Sequence, residues 1–507
     1  MTLVMKMMVL TAVLTMVTAV PLGTTRRSLM SEIITRLLSS RPSDMHIQDT
    51  GELGMEAGYL VETHTVTTED GYILTLHHVP RFANPSRRLS SIRSTNTHSR
   101  GRKRRRYETY ASANVTLSTS ESVQEDKPSL EDMDEVQPNT TVDNLDAQAW
   151  EYPSHPYKSE DYQDSEKVVF LQHGLMGSSD NWNTNTKEDS LAYLLSDAGY
   201  DVWMGNFRGN IYSRNHNRFT DNDPSFWRFS FDEMARFDLP AMLDYVKNQT
   251  EVKKLHYLGH SMGTTVFFAL MSSKPEYQQR IASMVALAPV ATVTSITSPI
   301  KYLAPLVNEL QFVLRLFGND QELMTNRLLI SLWDPYHVCM NQAFCENLQF
   351  IITGFDPSRA DQEMVPVILS HNPAGASTQT LFHFAQMFRA GRFQHFDWGQ
   401  KENLKQYGQV EPPEYDVKNI KVPITMFWSL NDWLIGEEDI HRLEKDLPQV
   451  EACYKVPNPM FSHLDFLWAT DARYLVYEKV FDILDEAVKI SVMGDNSELR
   501  ASIVNDS

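Results

Sequence analysis

Gly259-His260-Ser261-Met262-Gly263 decides how this chain reads. The pentapeptide fits G-x-S-x-G. It follows a strand-like run, Lys254 to Leu258, and precedes a helix-like run, Thr264 to Met271. A serine on a tight strand-to-helix turn presents its hydroxyl outward, and flanking glycines let strand and helix cross closely. The helix N-terminus behind it favours developing negative charge. The bare pattern arises by chance in many proteins. The strand-turn-helix setting is what gives it weight here.

Working outward, a nucleophilic serine needs a base, an orienting acid and an oxyanion hole. In this topology acid and base follow the serine, each after a late strand. Val422 to Leu430 reads as a buried strand ending at Asn431-Asp432. Glu451 to Val456 reads as the next strand, and its loop carries Phe461-Ser462-His463-Leu464-Asp465. His463 is therefore the expected base and Asp432 the expected acid. Asp439 and Asp465 compete for the acid role, and Asp465 is equally suited to anchoring the His463 loop. The chain holds 16 histidines, so most must be bystanders, and position after the correct strand selects His463. The oxyanion donors are expected from the residue after the nucleophile and from a loop after an earlier strand. The apolar run Val168 to Gln172 opens into His173-Gly174-Leu175-Met176-Gly177. That assigns the backbone N–H groups of Leu175 and Met262, with an ordinary glycine turn as the alternative.

Further strand-like runs lie at Asp201 to Met204 and Ser283 to Leu287, with helical stretches at Leu191 to Ala198 and Leu239 to Lys247. Alternation of this kind predicts an α/β fold, a mostly parallel sheet with helices on both faces. Glu62 to Thr67 and Tyr72 to Val79 add two strands before it, and Tyr474 to Val488 closes it as a helix. The excursion at about 289–419 is too long for a simple βα connection. It contains an apolar helical stripe, Leu306, Val307, Leu310, Val313, Leu314 and Phe317, bracketed by Pro305 and Gly318. A largely helical cap is expected there, either simply packed on the core or also roofing the serine with an apolar rim.

Composition breaks between 82 and 166. This stretch is rich in Ser, Thr, Asn and charge, with Arg102-Lys103-Arg104-Arg105-Arg106 in its first half, and it cannot bury enough apolar surface to fold alone. A disordered polar insertion is expected, the basic run being a solvated loop or a processing site. The expected plan is thus a signal peptide at 1–23, N-terminal strands within 24–81, the insertion at 82–166, the hydrolase domain with its cap at 167–490, and a flexible tail at 491–507. The leader reading rests on Lys6 followed by an apolar run to Leu22 that turns polar at Thr24, and an uncleaved anchor is its alternative. A net charge of −19 argues against nucleic acid and against adhesion to anionic membranes. No other stretch is apolar enough to span a bilayer. Sequons at Asn114, Asn139, Asn248 and Asn505 fit a secretory route.

Seven blocks extend the pattern: Thr68-Glu69-Asp70-Gly71-Tyr72-Ile73-Leu74, Leu171-Gln172-His173-Gly174-Leu175, Gly205-Asn206-Phe207-Arg208-Gly209-Asn210, Phe229-Ser230-Phe231-Asp232-Glu233-Met234, Ser370-His371-Asn372-Pro373-Ala374-Gly375, Phe396-Asp397-Trp398-Gly399 and His463-Leu464-Asp465-Phe466. Through them the chain resembles the acid lipases, the gastric and lysosomal lipases of animals with their insect members. The resemblance implies an α/β-hydrolase that cleaves carboxylic esters of neutral lipids, triacylglycerol or cholesteryl ester, at an apolar interface or micelle, without metal or organic cofactor. It implies a secreted or lysosomal protein and says nothing about oligomeric state. It also implies a disulfide between Cys339 and Cys345, leaving Cys453 as a buried free thiol in a strand. The chain departs from the family at Met262, where Gln is common, and at Ile435-Gly436, where Ala-Asp is usual. A lipid-binding protein without catalysis, and a thioesterase or peptidase on the same triad, are the competing readings.

Overall fold

The computed structural model describes residues 48–82, 166–298, 301, 322–325, 353–354 and 359–495. All of them belong to one compact unit. The leader, the basic run, the helix at 306–317, Cys339, Cys345, Asn114, Asn139 and Asn505 lie outside the described residues. Asn248 lies inside them, exposed in the last turn of the helix Leu239–Thr250.

The strands in chain order are β1 (Glu62–Thr67), β2 (Tyr72–Val79), β3 (Val168–Gln172), β4 (Asp201–Gly205), β5 (Asn215–His216), β6 (Leu255–His260), β7 (Ile281–Leu287), β8 (Glu322–Thr325), β9 (Ala374–Ser377), β10 (Ile424–Trp428) and β11 (Val450–Lys455). Among the described residues they form a nine-stranded sheet in the order β1-β2-β4-β3-β6-β7-β10-β11, with β5 against β2. From β4 to β11 every pairing is parallel, and β1 and β2 run antiparallel at one edge. Central strands β3, β6 and β10 are buried at every residue, as parallel strands covered on both faces must be. Edge strand β1 alternates between exposed and half-buried.

Alternate residues of the central strands feed two separate cores. Phe170, Tyr257, Met284 and Met426 pack with the helices Leu239–Thr250, Met262–Ser273 and Glu437–Asp446. Val169, Leu258, Val285 and Phe427 pack on the other face with Leu191–Asp197 and Glu478–Asp495. The helix Met262–Ser273 is buried from Met262 through Met271, so its apolar residues run all round rather than along one stripe. In the cap region, β8 and β9 form a two-stranded antiparallel ribbon beside the helices Val365–His371, Thr378–Ala390 and Gln400–Tyr407.

Several boundaries differ from the sequence reading. The strand expected over Val422 to Leu430 spans only Ile424–Trp428, and Leu430 is 48% exposed beyond it. The last helix continues to Asp495, past the expected domain end at 490. Cys453 is half-buried rather than buried, because β11 is an edge strand. Burial still pushes its thiol up to about 11. At the expected insertion ends, Phe82 N–H bonds Ser196 O at 3.1 Å and Glu166 is buried. Val79 pairs with Val202 and Val168 with Asp201. The chain therefore leaves and re-enters the sheet on either side of β4, two strand spacings or ~10 Å apart.

Candidate active site

Because the central strands are parallel, their carboxyl ends share one edge of the sheet, where α/β proteins place their ligands. β6 delivers Ser261 to that edge, β10 leads to Asp432, β11 leads to His463, and β3 leads to Gly174-Leu175.

Ser261 has φ 52° and ψ −121°, a conformation that costs a non-glycine residue roughly 1–3 kcal/mol. The surroundings impose it. Ser261 N–H bonds Leu287 O of β7 at 3.0 Å. Ser261 O accepts from Thr264 N and from Thr264 Oγ1 at 2.8 and 2.7 Å. Tyr257 Oη donates to Gly263 O at 2.8 Å. A Cβ on Gly259 would lie 3.0 Å from Gly263 C, and one on Gly263 would strike the Gln172 carbonyl. Both glycines are therefore needed for helix and strand to cross here.

Asp432 and His463 come together from separate loops. His463 Nδ1 lies 2.7 Å from Asp432 Oδ2, and both side chains are buried. The other carboxylate oxygen, Oδ1, accepts from Leu434 and Ile435 N–H at 2.9 and 3.1 Å. A parallel bridge between Asn431 and Ser462 and a 3.0 Å bond from Asn431 Nδ2 to Met460 O tie the two loops. His260 supplies a further tie that sequence reasoning missed. Its Nε2 is 2.9 Å from His463 O, and the two rings stack obliquely at 4.8 Å. Burial drives the His260 imidazole well below its usual range, so it stays neutral. Its place inside the G-x-S-x-G pentapeptide was the available signal.

The two rival aspartates are occupied elsewhere. Asp439 accepts from the backbone N–H and the hydroxyl of both Thr294 and Ser295, at 2.5–2.8 Å. Gly436 makes room for this clasp, since a Cβ there would run into Ser295. Asp465 Oδ2 accepts from Ser462 N at 2.7 Å and faces Arg359 Nε at 3.5 Å. It braces the loop two residues from His463.

Gly174 backs onto the serine, so that a Cβ there would lie 3.0 Å from Ser261 Cβ. The N–H groups of Leu175 and Met262 have no acceptor among the described residues. The loop that carries Leu175 is held by two other blocks of the sequence. His173 Nε2 accepts from Phe207 N at 3.1 Å while Nδ1 is 2.8 Å from Gly174 O. That fixes one neutral tautomer, and burial lowers this histidine to about 4. Asn206 Oδ1 accepts from Ser179 N, Asn210 Nδ2 reaches Gly177 O, and Ala374 N–H bonds Met176 O at 2.6 Å. Ser261 Oγ itself makes no hydrogen bond to His463 or to any other described residue. Nucleophile–base contacts are often loose without substrate and tighten when it binds.

A family model described as the alpha/beta hydrolase fold matches residues 167–470, and one for a partial alpha/beta-hydrolase lipase region matches 50–106. Human gastric triacylglycerol lipase is 41% identical, over 64% of this chain and 80% of its own. Human lysosomal acid lipase/cholesteryl ester hydrolase is 38% identical, over 65% and 82%. Lipase 3 of Drosophila melanogaster is 36% identical, over 88% and 93%. The chain belongs to the acid lipase family. It is a serine carboxylic ester hydrolase, a lipase.

In this acid lipase the remaining sequence blocks build polar networks around the edge just described. Arg208 bridges Asp238 at 2.6 Å and Asp70 at 2.7 Å, with its guanidinium 3.9 Å over the Tyr72 ring. Asp232 accepts from Phe396 N and from Tyr415 Oη, joining the Phe229–Met234 block to the cap. Among the described residues no helix is long and apolar enough to cross a membrane.

Proposed function

We propose that the lipase hydrolyses neutral lipid esters, triacylglycerol or cholesteryl ester, through Ser261, His463 and Asp432. The observation that carries this reading is the 2.7 Å His463–Asp432 pair beside the strained Ser261 turn. Asp432 Oδ2 accepts a hydrogen bond from His463 Nδ1–H, and this tautomer leaves Nε2 as the basic nitrogen. His463 takes the Ser261 proton as Oγ attacks the ester carbonyl. The oxyanion forms against the free N–H groups of Leu175 and Met262, with the positive end of the helix Met262–Ser273 behind it. His463 then protonates the departing alcohol. A water deprotonated by the same imidazole attacks the acyl-serine and releases the fatty acid. No cofactor enters these steps.

The names of the relatives, one a triacylglycerol lipase and one a cholesteryl ester hydrolase, support the substrate class. The words gastric and lysosomal in those names also support a secreted or lysosomal setting. The test uses purified protein on triolein and cholesteryl oleate emulsions, alongside labelling by a fluorophosphonate. Fatty-acid release from at least one emulsion and stoichiometric labelling that disappears in Ser261→Ala are expected. A folded protein that neither labels nor releases fatty acid would be a lipid binder instead. Hydrolysis confined to thioesters or peptides would also overturn the reading.

A further inference from the structure

Glu62, His64 and His78 converge on one face of the sheet edge formed by β1 and β2. Glu62 and His64 are two apart on β1, so their side chains share a face. His78 lies directly opposite Glu62 in the antiparallel register. One ligand atom from each, Glu62 Oε2, His64 Nε2 and His78 Nδ1, lies within 4.8 Å of the other two. His78 Nδ1 is 2.9 Å and His64 Nε2 3.5 Å from the Glu62 oxygen.

The far nitrogen of each imidazole is held by an oxygen. His78 Nε2 lies 2.8 Å from Asp201 Oδ1, and His64 Nδ1 lies 3.1 Å from Tyr245 Oη. His78 donates Nε2–H to Asp201 and Nδ1–H to Glu62, so a cation would take the place of that Nδ1 proton. With Nδ1–H donated to Tyr245, His64 already turns its Nε2 lone pair to the same point. Trp203 fixes the rings from below, stacked on His78 at 4.1 Å and against His64 at 4.8 Å. His64 Nε2 is buried and makes no hydrogen bond among the described residues, with Glu62 Oε2 3.5 Å away. Hydrogen bonding alone leaves this nitrogen without a purpose. A cation between the three donors would satisfy it.

The geometry points to a divalent transition-metal site, of the zinc type, formed by Glu62, His64 and His78. Two imidazoles and one carboxylate are a donor set that suits zinc and not calcium or magnesium. Outer carboxylate and phenol partners on the far nitrogens are what orients such ligands. Donors around a tetrahedral ion with bonds of about 2.0–2.1 Å stand about 3.3 Å apart, which the 2.9 and 3.5 Å from Glu62 to the two imidazoles bracket. The Glu62 side chain is 45% exposed, which leaves an entry path and a fourth position for water.

The site lies away from the chemistry. β2 is three strands and β1 four strands across the sheet from β6. The ion would join β1 to β2 and, through Asp201, to β4, next to the point where the chain leaves the sheet after Val79. Its role is a structural staple of the edge that precedes the insertion.

Full-length protein freed of metal with a chelator should bind one Co²⁺ per chain, read by its visible d–d absorption. Zn²⁺ should displace the cobalt and raise Tm by several degrees, while turnover of a soluble ester stays unchanged. His64→Ala should weaken binding at least tenfold and remove the Zn²⁺-dependent rise in Tm, with ester turnover retained as evidence of folding. Glu62→Gln should behave the same way and guards against a local effect of the alanine. Absence of stoichiometric binding to the wild-type chain overturns the site, as does binding that His64→Ala leaves unchanged.

Discussion

Arg208 and Ser261 both sit just past the carboxyl end of a parallel strand, yet their surroundings are opposite. Arg208, three residues beyond β4, spends its guanidinium on two carboxylates and an aromatic ring. Ser261, the residue after β6, makes no side-chain hydrogen bond among the described residues, and the nearby N–H groups of Leu175 and Met262 find no acceptor among them either. One cluster is closed, so it contributes order. The other leaves its valences open in a rigid frame, so something must arrive to complete it. A buried charge without partners costs several kcal/mol, which explains why the closed cluster holds three charged groups and the open one holds neutral donors.

The sharpest way to break this comparison is Ser261→Ala. Ester turnover should fall by about 10⁵–10⁶-fold, as for other serine triads, while the unfolding midpoint stays within a degree or two. A folded Ser261→Ala protein keeping a tenth of the activity would remove the serine from its role. Asp432→Asn should come next, with a loss of about 10⁴-fold, because the amide no longer selects the productive imidazole tautomer. Asp439→Asn is its control. That residue is clasped by four donors from Thr294 and Ser295, so the expected change is about 1–3 kcal/mol of stability with turnover within a few-fold. Equal kinetic losses at both positions would show that the clasp, and not the histidine contact, governs the rate.

The closed cluster should respond in the reverse sense. Arg208→Met leaves Asp238 buried without its counter-charge and should cost about 3–5 kcal/mol in urea unfolding, with any surviving native protein close to normal in turnover per labelled serine. A catalytic collapse without loss of stability would place Arg208 in the chemistry. The smallest effect is expected from replacing residues 83–165 by a short glycine-serine linker. The chain ends flank one strand, and loop-closure cost changes slowly with length. Soluble-ester turnover within twofold of the full chain is expected, and a large loss would show that the replaced segment contributes to the site.

Much of the site could be read from the chain because its signals are local. The elbow glycines and the run of fully apolar strands announce themselves within ten residues. Chain order then narrows the acid and base to a few positions. The boundaries were less legible. β10 stops at Trp428 although Ser429 and Leu430 continue the pattern, because no neighbouring strand pairs with them. Cys453 reads as a core residue, yet its strand forms an edge, and edge or centre is a property of the sheet and not of the strand.

What the sequence determined by itself was the backbone frame: an α/β-hydrolase with a serine on a strained turn, since sterics and apolar periodicity act between near neighbours. What only the tertiary structure decided was the use of each polar group. Asp432, Asp439 and Asp465 are the same residue type on neighbouring loops. One faces His463, one is held by Thr294 and Ser295, and one braces its own loop against Arg359. His260 and His64 likewise acquired their surroundings from residues distant in the chain. A buried polar side chain is defined by the partner that compensates its lost hydration, and that partner is supplied by the fold.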